Sequence, residues 1–278
     1  MAEPDLPNDT ARSELIKRIA SICVFVPVIL FLVWLGNWML LLLVLLIVVR
    51  GSWEFYHLLK SAGYRPAATV GMVSAAGLVL YINFRPADTL ALPVALVVLV
   101  GLAVGLRRGT ERYTVNTAAT FGGAILFGLL GSAPLLIVTN APPEESAFLV
   151  MAIFASIWVT DASAYIGGTL WGQRKLAPSI SPSKTRIGFL TGLMGGMVPL
   201  LFRDVLPMFS TAELVGLCLV ASSGGQLGDL VESAWKRDIG VKDAPALIPG
   251  HGGVLDRFDS YFFAFPLTYI YLITLQTL

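Results

Sequence analysis

The sequence predicts an all-α polytopic integral membrane protein with about nine transmembrane helices. Of its 278 residues, 56% are hydrophobic and only 13% are Asp, Glu, Lys or Arg, about half of the roughly 25% that is typical of soluble domains. The apolar residues are gathered into blocks long enough to cross a bilayer, about 18 residues or more. These observations exclude a soluble globular protein, a collagen-like chain and a disordered chain.

The predicted elements begin with a polar segment. Residues 1–14 lack the basic start and apolar core of a signal peptide, so we interpret residues 1–18 as a cytoplasmic tail. The first five apolar blocks make up an amino-terminal region, residues 19–140, and the last four belong to a carboxyl-terminal region, residues 141–278. The nine blocks are 19–35, 38–49, 67–84, 90–106, 118–138, 147–170, 187–206, 211–235 and 258–275.

The second helix is predicted to continue past Arg50 to His57, because the aromatic residues of this stretch suit the headgroup interface. Lys60 and Arg65 then close it. The two cysteines lie far apart in apolar blocks, at positions 23 and 218, which indicates neither a disulfide nor a cysteine metal site. We expect both to be small core residues.

The placement of basic residues indicates the orientation in the membrane. With nine spans, 16 of the 19 Lys and Arg residues lie in the amino-terminal tail and the even-numbered connections, whereas only Arg85 and Arg203 lie in the odd-numbered ones. By the positive-inside rule the amino terminus is cytoplasmic and the carboxyl terminus outside. The two longest basic loops, near 171–187 and 236–257, are then cytosolic.

Ionisable residues at membrane depth are concentrated in the carboxyl-terminal region. They are Asp161, Asp229 and Glu232, with Asp256 and Asp259 entering the last span. Such groups are costly in lipid and usually functional, although pairing with Lys or Arg to hold helices together is the alternative. On a continuous helix, Asp229, Ser233 and Lys236 would share one face near the cytoplasmic edge.

The segment at 242–259 is rich in glycine and proline, which preclude a regular helix through it. Asp256 and Asp259, three residues apart, would face the same way from the start of the last helix, where acids also suit a capping role. Carboxylates beside clustered Lys and Arg suit Mg²⁺ and phosphates. His251 has no second histidine nearby, so we interpret it as a turn residue or phosphate donor rather than a zinc ligand.

The other basic loop alternates hydroxyls with cations just before the seventh span, at Ser181, Lys184 and Thr185. Such a loop can bind anionic groups at a helix amino terminus. Attraction to anionic lipids explains it equally well. The sequence contains neither a P-loop nor a dinucleotide-binding fingerprint, so a bound nucleotide would be held by some other arrangement.

Five segments together resemble the signature of the phosphatidate cytidylyltransferase family, the CDP-diacylglycerol synthases. They are Asp161-x-x-Ala164-Tyr165, Ser181-Pro182-x-Lys184-Thr185, Gly228-Asp229-Leu230, Ser233-x-x-Lys236-Arg237-x₄-Lys242-Asp243 and His251-Gly252-Gly253-x-x-Asp256-Arg257-x-Asp259. The resemblance covers about residues 155–260. Trp235 and Pro245 depart from the pattern, and Arg186-Ile187 replaces a common Trp-Glu, which leaves the role of that loop end open.

The resemblance implies transfer of the cytidylyl group of CTP to phosphatidic acid with Mg²⁺, a second cation being an option. It implies a multi-pass protein of the bacterial inner membrane, with a homodimer as an option and no nucleic acid partner. The implied catalytic residues are Asp229, Asp256, Lys236 and Arg237, and the implied metal ligands are Asp229, Asp256 and Asp259. The implied substrate-binding residues are Ser181, Lys184, Thr185, Ser233, Lys242, His251 and Arg257, with Asp161 and Asp243 as second-tier candidates.

Three alternatives stay open at this point. A CTP-dependent enzyme acting on another membrane lipid, such as an archaeol-type cytidylyltransferase or a polyprenol kinase, shares parts of the pattern. An anion transporter would also cluster charge, but should show repeated halves and helices broken at the midplane. A scaffold without catalysis would tolerate apolar replacement of the acids and bases.

Overall fold

The structure is a computed structural model that describes residues 24–85, 89–241 and 253–275. Its helices are α1 (Val24–Leu35), α2 (Asn37–Ser61), α3 (Ala68–Phe84), α4 (Ala91–Arg107), α5 (Tyr113–Ile125), α6 (Ala133–Asn140), α7 (Pro143–Trp171), α8 (Arg186–Gly195), α9 (Thr211–Asp238), α10 (Leu255–Phe258) and α11 (Tyr261–Thr274). A π-helical turn at Leu126–Leu130 joins α5 to α6, and a 3₁₀ helix at Val198–Val205 follows α8. The predicted cytoplasmic tail and Cys23 lie outside the described residues.

Four of the described helical stretches are long and apolar enough to cross a membrane. They are Trp38–Ser61, Tyr113–Asn140, Pro143–Trp171 and Thr211–Asp238, and three shorter apolar helices, α1, α3 and α4, accompany them. The prediction of a helical, multi-pass membrane protein is therefore confirmed. The count of nine spans and the orientation stay predictions.

Helix α2 runs through Arg50 and ends at Ser61, as the sequence predicts. Thr120 of α5 accepts one hydrogen bond from α2 and another from the residue before α3. The hydroxyl of Tyr56 donates to the carbonyl of Thr120 at 2.6 Å, and the backbone N–H of Ala67 donates to the hydroxyl of Thr120 at 2.8 Å. These bonds fix α2, the start of α3 and α5 relative to one another.

The seventh predicted span differs from a single helix. Helix α8 ends at Gly195, and a 3₁₀ helix with Pro199 near its start takes over, because proline lacks the N–H that a continuing α-helix needs. At the break, the hydroxyl of Ser156 on α7 donates to the carbonyl of Gly196 at 2.8 Å. Helices α7 and α8 approach closely because Gly188 of α8 has no side chain. A Cβ at that position would lie 2.7 Å from the carbonyl oxygen of Ala164 on α7.

The prediction of an all-α fold omits a small antiparallel hairpin in the basic loop after α7. Strand β1 (Lys175–Ala177) pairs with β2 (Ser181–Thr185), with Lys175 opposite Thr185. Thr185 also begins α8, since its hydroxyl accepts a hydrogen bond from the N–H of Gly188 at 3.0 Å. Strands this short carry too little alternation to be recognised in a sequence.

The carboxyl-terminal helices are built around α9, which packs against α7, α8 and α11. A capping box starts it: the Ser210 hydroxyl accepts from the N–H of Glu213 at 3.3 Å, and the Glu213 carboxylate accepts from the N–H of Ser210 at 2.7 Å. The helix then continues for 28 residues. Its last turns therefore carry the predicted acids and bases on one rigid element.

Candidate active site

A cavity of about 990 Å³ lies between α1, α7, the hairpin, α8, α9 and α10. One part of its wall is apolar and includes Phe25, Val26 and Ile29 of α1. The rest of the wall mixes apolar residues with charged ones. Its charged lining residues include Asp161, Lys184, Asp229, Glu232, Lys236, Asp256, Arg257 and Asp259. The structure thus brings together, from four elements, most of the charged residues that the sequence singles out.

An ion pair joins the hairpin to α9 across the cavity. The ammonium of Lys184, at the end of β2, lies 2.6 Å from a carboxylate oxygen of Asp229. The predicted stripe on α9 is present, because the hydroxyl of Ser233 lies 3.5 Å from the other oxygen of Asp229. Lys236, the third member of the stripe, contacts other acids instead.

The ammonium of Lys236 links α9 to α10. It donates to the carboxylate of Asp256 at 2.8 Å and lies 3.4 Å from the carboxylate of Glu232, one turn back on its own helix. The second oxygen of Asp256 accepts from the N–H of Gly253 at 3.1 Å. Both oxygens of Asp256 are therefore held, one by a side chain and one by the backbone.

Two opposing effects act on the Asp256 carboxyl. Burial raises its pKa, but hydrogen bonding with Glu232, Lys236 and Gly253, together with the Lys236 charge, outweighs burial and leaves the pKa below the ordinary value. The group is consequently ionised at neutral pH. An ionised carboxylate is the form that a cation or an ammonium requires.

Asp259 lies against α9 at a point of close backbone approach. A Cβ on Gly228 would lie 2.5 Å from the carbonyl oxygen of Asp259, so only glycine leaves room there. This close approach brings Asp259 beside Gly228, the residue before Asp229, and both acids line the cavity.

Three predicted site residues have other local roles. Arg237 is exposed and its Nε donates to the carbonyl of Ile180 at 3.4 Å, which ties the hairpin to α9. The hydroxyl of Ser181 lies 3.4 Å from that of Ser183. Thr185 lines the cavity, but its hydroxyl is engaged in capping α8. Lys242, Asp243 and His251 fall outside the described residues, so their predicted roles stay predictions.

Comparison of the sequence with known proteins identifies its family. Residues 16–275 match the cytidylyltransferase family. The chain belongs to this family. Similar proteins include the phosphatidate cytidylyltransferases of Staphylococcus saprophyticus, Staphylococcus aureus and Staphylococcus epidermidis, each 46% identical over 132 residues, which is 47% of this chain. The chain spans about half the length of these relatives, 51%.

Two acids of this cytidylyltransferase-family chain are not among the predicted site residues, although the sequence marks Glu232 as ionisable at membrane depth. Glu232 is 2% exposed and contacts Lys236 inside the cavity. Glu54 on α2 is fully buried and lies next to the segment that carries Asp256. The sequence signal for both is an acid and a base four residues apart within an apolar helix, Arg50 with Glu54 and Glu232 with Lys236. A charged pair in such a helix is costly in lipid and is usually functional.

The acids of this cytidylyltransferase-family cavity carry the carboxylate oxygens that Mg²⁺ accepts as ligands. Among the residues that the structure describes, no three metal-ligating side chains gather into a ready-made cluster. Asp229, Asp256 and Asp259 nevertheless line one cavity. Mg²⁺ is commonly held by one or two carboxylates together with phosphate oxygens rather than by an all-protein cage.

Proposed function

We propose that this chain transfers the cytidylyl group of CTP to phosphatidic acid, giving CDP-diacylglycerol and pyrophosphate. The observation that carries the proposal is a single cavity in which the pairs Lys184–Asp229 and Lys236–Asp256 lie beside an apolar wall from α1. Such a cavity suits a ligand with a phosphate head and hydrocarbon tails next to a polyanionic nucleotide. Membership of the cytidylyltransferase family and the name of the staphylococcal relatives support the same reaction.

The proposed reaction does not require a strong base from the protein. An oxygen of the phosphatidic acid phosphate forms a bond to the α-phosphorus of CTP, the bond between the α- and β-phosphates breaks, and pyrophosphate leaves. The second pKa of a phosphomonoester is about 6, so the nucleophile is largely dianionic at neutral pH. The protein's contribution is therefore to align the two substrates and to stabilise negative charge.

We assign the basic residues to the phosphates and the acids to the metal. Lys184, Lys236 and Arg257 would bind phosphate oxygens, and the ion pairs with Asp229 and Asp256 hold the two lysines in place before substrate arrives. Asp229 and Asp256, supported by Asp259, would hold Mg²⁺, with a second cation as an option. When bound, Mg²⁺ neutralises phosphate charge during the transfer.

The proposal includes the finer topology. Nine spans with a cytoplasmic amino terminus and an outside carboxyl terminus would place the hairpin and the end of α9 on the cytosolic side, where CTP is available. We propose a location in the bacterial inner membrane, and a homodimer as one form of assembly. Tagging each terminus and testing its accessibility in sealed inverted vesicles checks the orientation.

Label transfer tests the reaction directly. The purified protein in vesicles containing phosphatidic acid is given CTP labelled at the α-phosphorus, with and without EDTA. We expect label in the chloroform-soluble fraction and its loss with EDTA. Label from the γ-phosphorus would indicate a kinase instead, and the absence of lipid label from either position would refute the proposed reaction.

A further inference from the structure

A buried acid in the amino-terminal region lies against the segment that carries Asp256. Glu54, on α2, has no exposed surface, although carboxylates are almost never fully buried unless they are paired. Its partners come from a part of the chain 200 residues away. The five motif segments that point to the cavity all lie between Asp161 and Asp259, so this acid is not one of the motif residues.

The carboxylate of Glu54 engages two consecutive backbone amides. One oxygen accepts from the N–H of Val254 at 3.0 Å, and the other accepts from the N–H of Leu255 at 2.6 Å. These amides directly precede Asp256 and would otherwise be unpaired at the start of α10. Charge-assisted bonds of this kind are shorter and stronger than those between neutral groups.

The charge of Glu54 is balanced on its own helix. Nε of Arg50 lies 3.0 Å from the carboxylate, one turn back, and the guanidinium lies 4.1 Å from the centre of the Trp53 ring. A buried carboxylate that lost this partner would be strongly disfavoured. Arg50, whose side chain is 25% exposed, pairs with the acid while remaining in reach of water.

The contacts of Asp256 complete the arrangement. Asp256 accepts from Lys236 with one oxygen and from the N–H of Gly253 with the other. The backbone from Gly253 to Leu255 thus donates its three N–H groups to two carboxylates, one in the cavity and one from α2. The position of the Asp256 carboxylate is therefore set by both α9 and α2.

We propose that Glu54 is a positioning residue, which fixes the backbone of Val254 and Leu255 so that Asp256 faces the cavity in the geometry that binds a divalent cation with the phosphates of CTP. This inference rests on the proposed function for the identity of the ligands. Glu54 is not among the residues that line the cavity. Its effect is transmitted through the main chain.

The test substitutes Glu54→Gln, which keeps the shape and leaves one acceptor oxygen for two amides. We expect hydrogen exchange at Val254 and Leu255 to accelerate about ten- to a hundredfold, as for loss of a hydrogen bond to a charged group, while amides in α9 keep their protection. We also expect Mn²⁺ affinity in the presence of CTP, measured by electron paramagnetic resonance, to fall about tenfold. Neither readout requires turnover.

The controls separate positioning from general stability. Glu111→Gln is the matched change at an exposed acid that contacts Arg65 at 3.7 Å, and we expect it to alter neither readout. Glu54→Asp, which keeps the charge but is shorter by one methylene, should give an intermediate effect and serves if the glutamine variant does not fold.

The inference would be overturned if Glu54→Gln left hydrogen exchange at Val254 and Leu255 unchanged. It would also be overturned if the variant bound Mn²⁺ as tightly as the wild type does, or if the wild-type protein bound no Mn²⁺. A wild-type protein that labels no lipid would refute the proposed reaction alone. In that case exchange and Mn²⁺ binding would still decide the role of Glu54.

Discussion

The amino-terminal helices and the carboxyl-terminal helices use buried polar groups in different ways. In the first, the hydroxyl of Tyr56 and the carbonyl of Thr120 join two helices with neutral hydrogen bonds. In the second, charged side chains from the hairpin, α9 and α10 meet across a cavity, as Lys184 meets Asp229. Buried polar groups thus join helices in the amino-terminal region, whereas in the carboxyl-terminal region charged groups also line a cavity, and Glu54 links the two regions.

The largest expected effect lies in the cavity. Asp256→Asn removes the charge that Lys236 and the proposed metal share, and we expect turnover to fall at least about a hundredfold, the equivalent of about 3 kcal/mol. The assay is label transfer from α-labelled CTP by purified protein. Asp238→Asn, at the exposed end of α9, is the matched control. Near-wild-type turnover of the Asp256 variant would remove that residue from the site.

A smaller effect is expected where the cavity depends on close packing. Gly228→Ala forces a Cβ to within 2.5 Å of the Asp259 carbonyl oxygen, so α9 and the end of α10 must separate at a cost of about 1–3 kcal/mol. We expect a lower thermal midpoint and about tenfold lower turnover, since about 1.4 kcal/mol of lost alignment is tenfold in rate.

Gly77→Ala is the control for this change, because a Cβ at that position of α3 meets nothing within 4 Å. It should preserve turnover and raise stability slightly, as expected of alanine in a helix. Equal behaviour of the two alanine variants would contradict the packing argument.

The smallest effect on activity is expected in the amino-terminal region. Tyr56→Phe removes the hydrogen bond to Thr120 and costs about 1 kcal/mol of stability, or about 2–4 °C in thermal midpoint for a chain of this size. Turnover at a permissive temperature should stay within about twofold of wild type. A large loss of turnover at full folding would show that the division between the two regions is not as sharp as the buried groups suggest.

Much of the architecture could be predicted because hydropathy and helical spacing are local properties. The apolar blocks marked the helices, and spacing placed Asp229 and Ser233 on one face of α9. The partner of Lys236 could not be predicted in the same way, since Asp256 lies 20 residues further along the chain and spacing favours neighbours on the same helix.

The remaining differences have physical reasons of the same kind. The break after Gly195 is not predicted from hydropathy, because apolar residues continue on both sides of it and hydropathy alone does not register Pro199, near which the 3₁₀ helix begins. The hairpin is too short to show a pattern. Glu54 lies within the stretch from Arg50 to His57 that the sequence assigns to the headgroup interface, and only the fold reveals that it binds the amides of Val254 and Leu255.

The choice of main-chain partners by Glu54 has a consequence for sequence comparison. Since any residue except proline carries the N–H that Glu54 binds, the side chains at 254 and 255 can change without any compensating change at 54. Correlated substitutions would therefore fail to report this contact, however large its effect. Chimeras that join the amino-terminal helices of one relative to the carboxyl-terminal helices of another should keep it, provided that the acid is retained and neither amide is lost to proline.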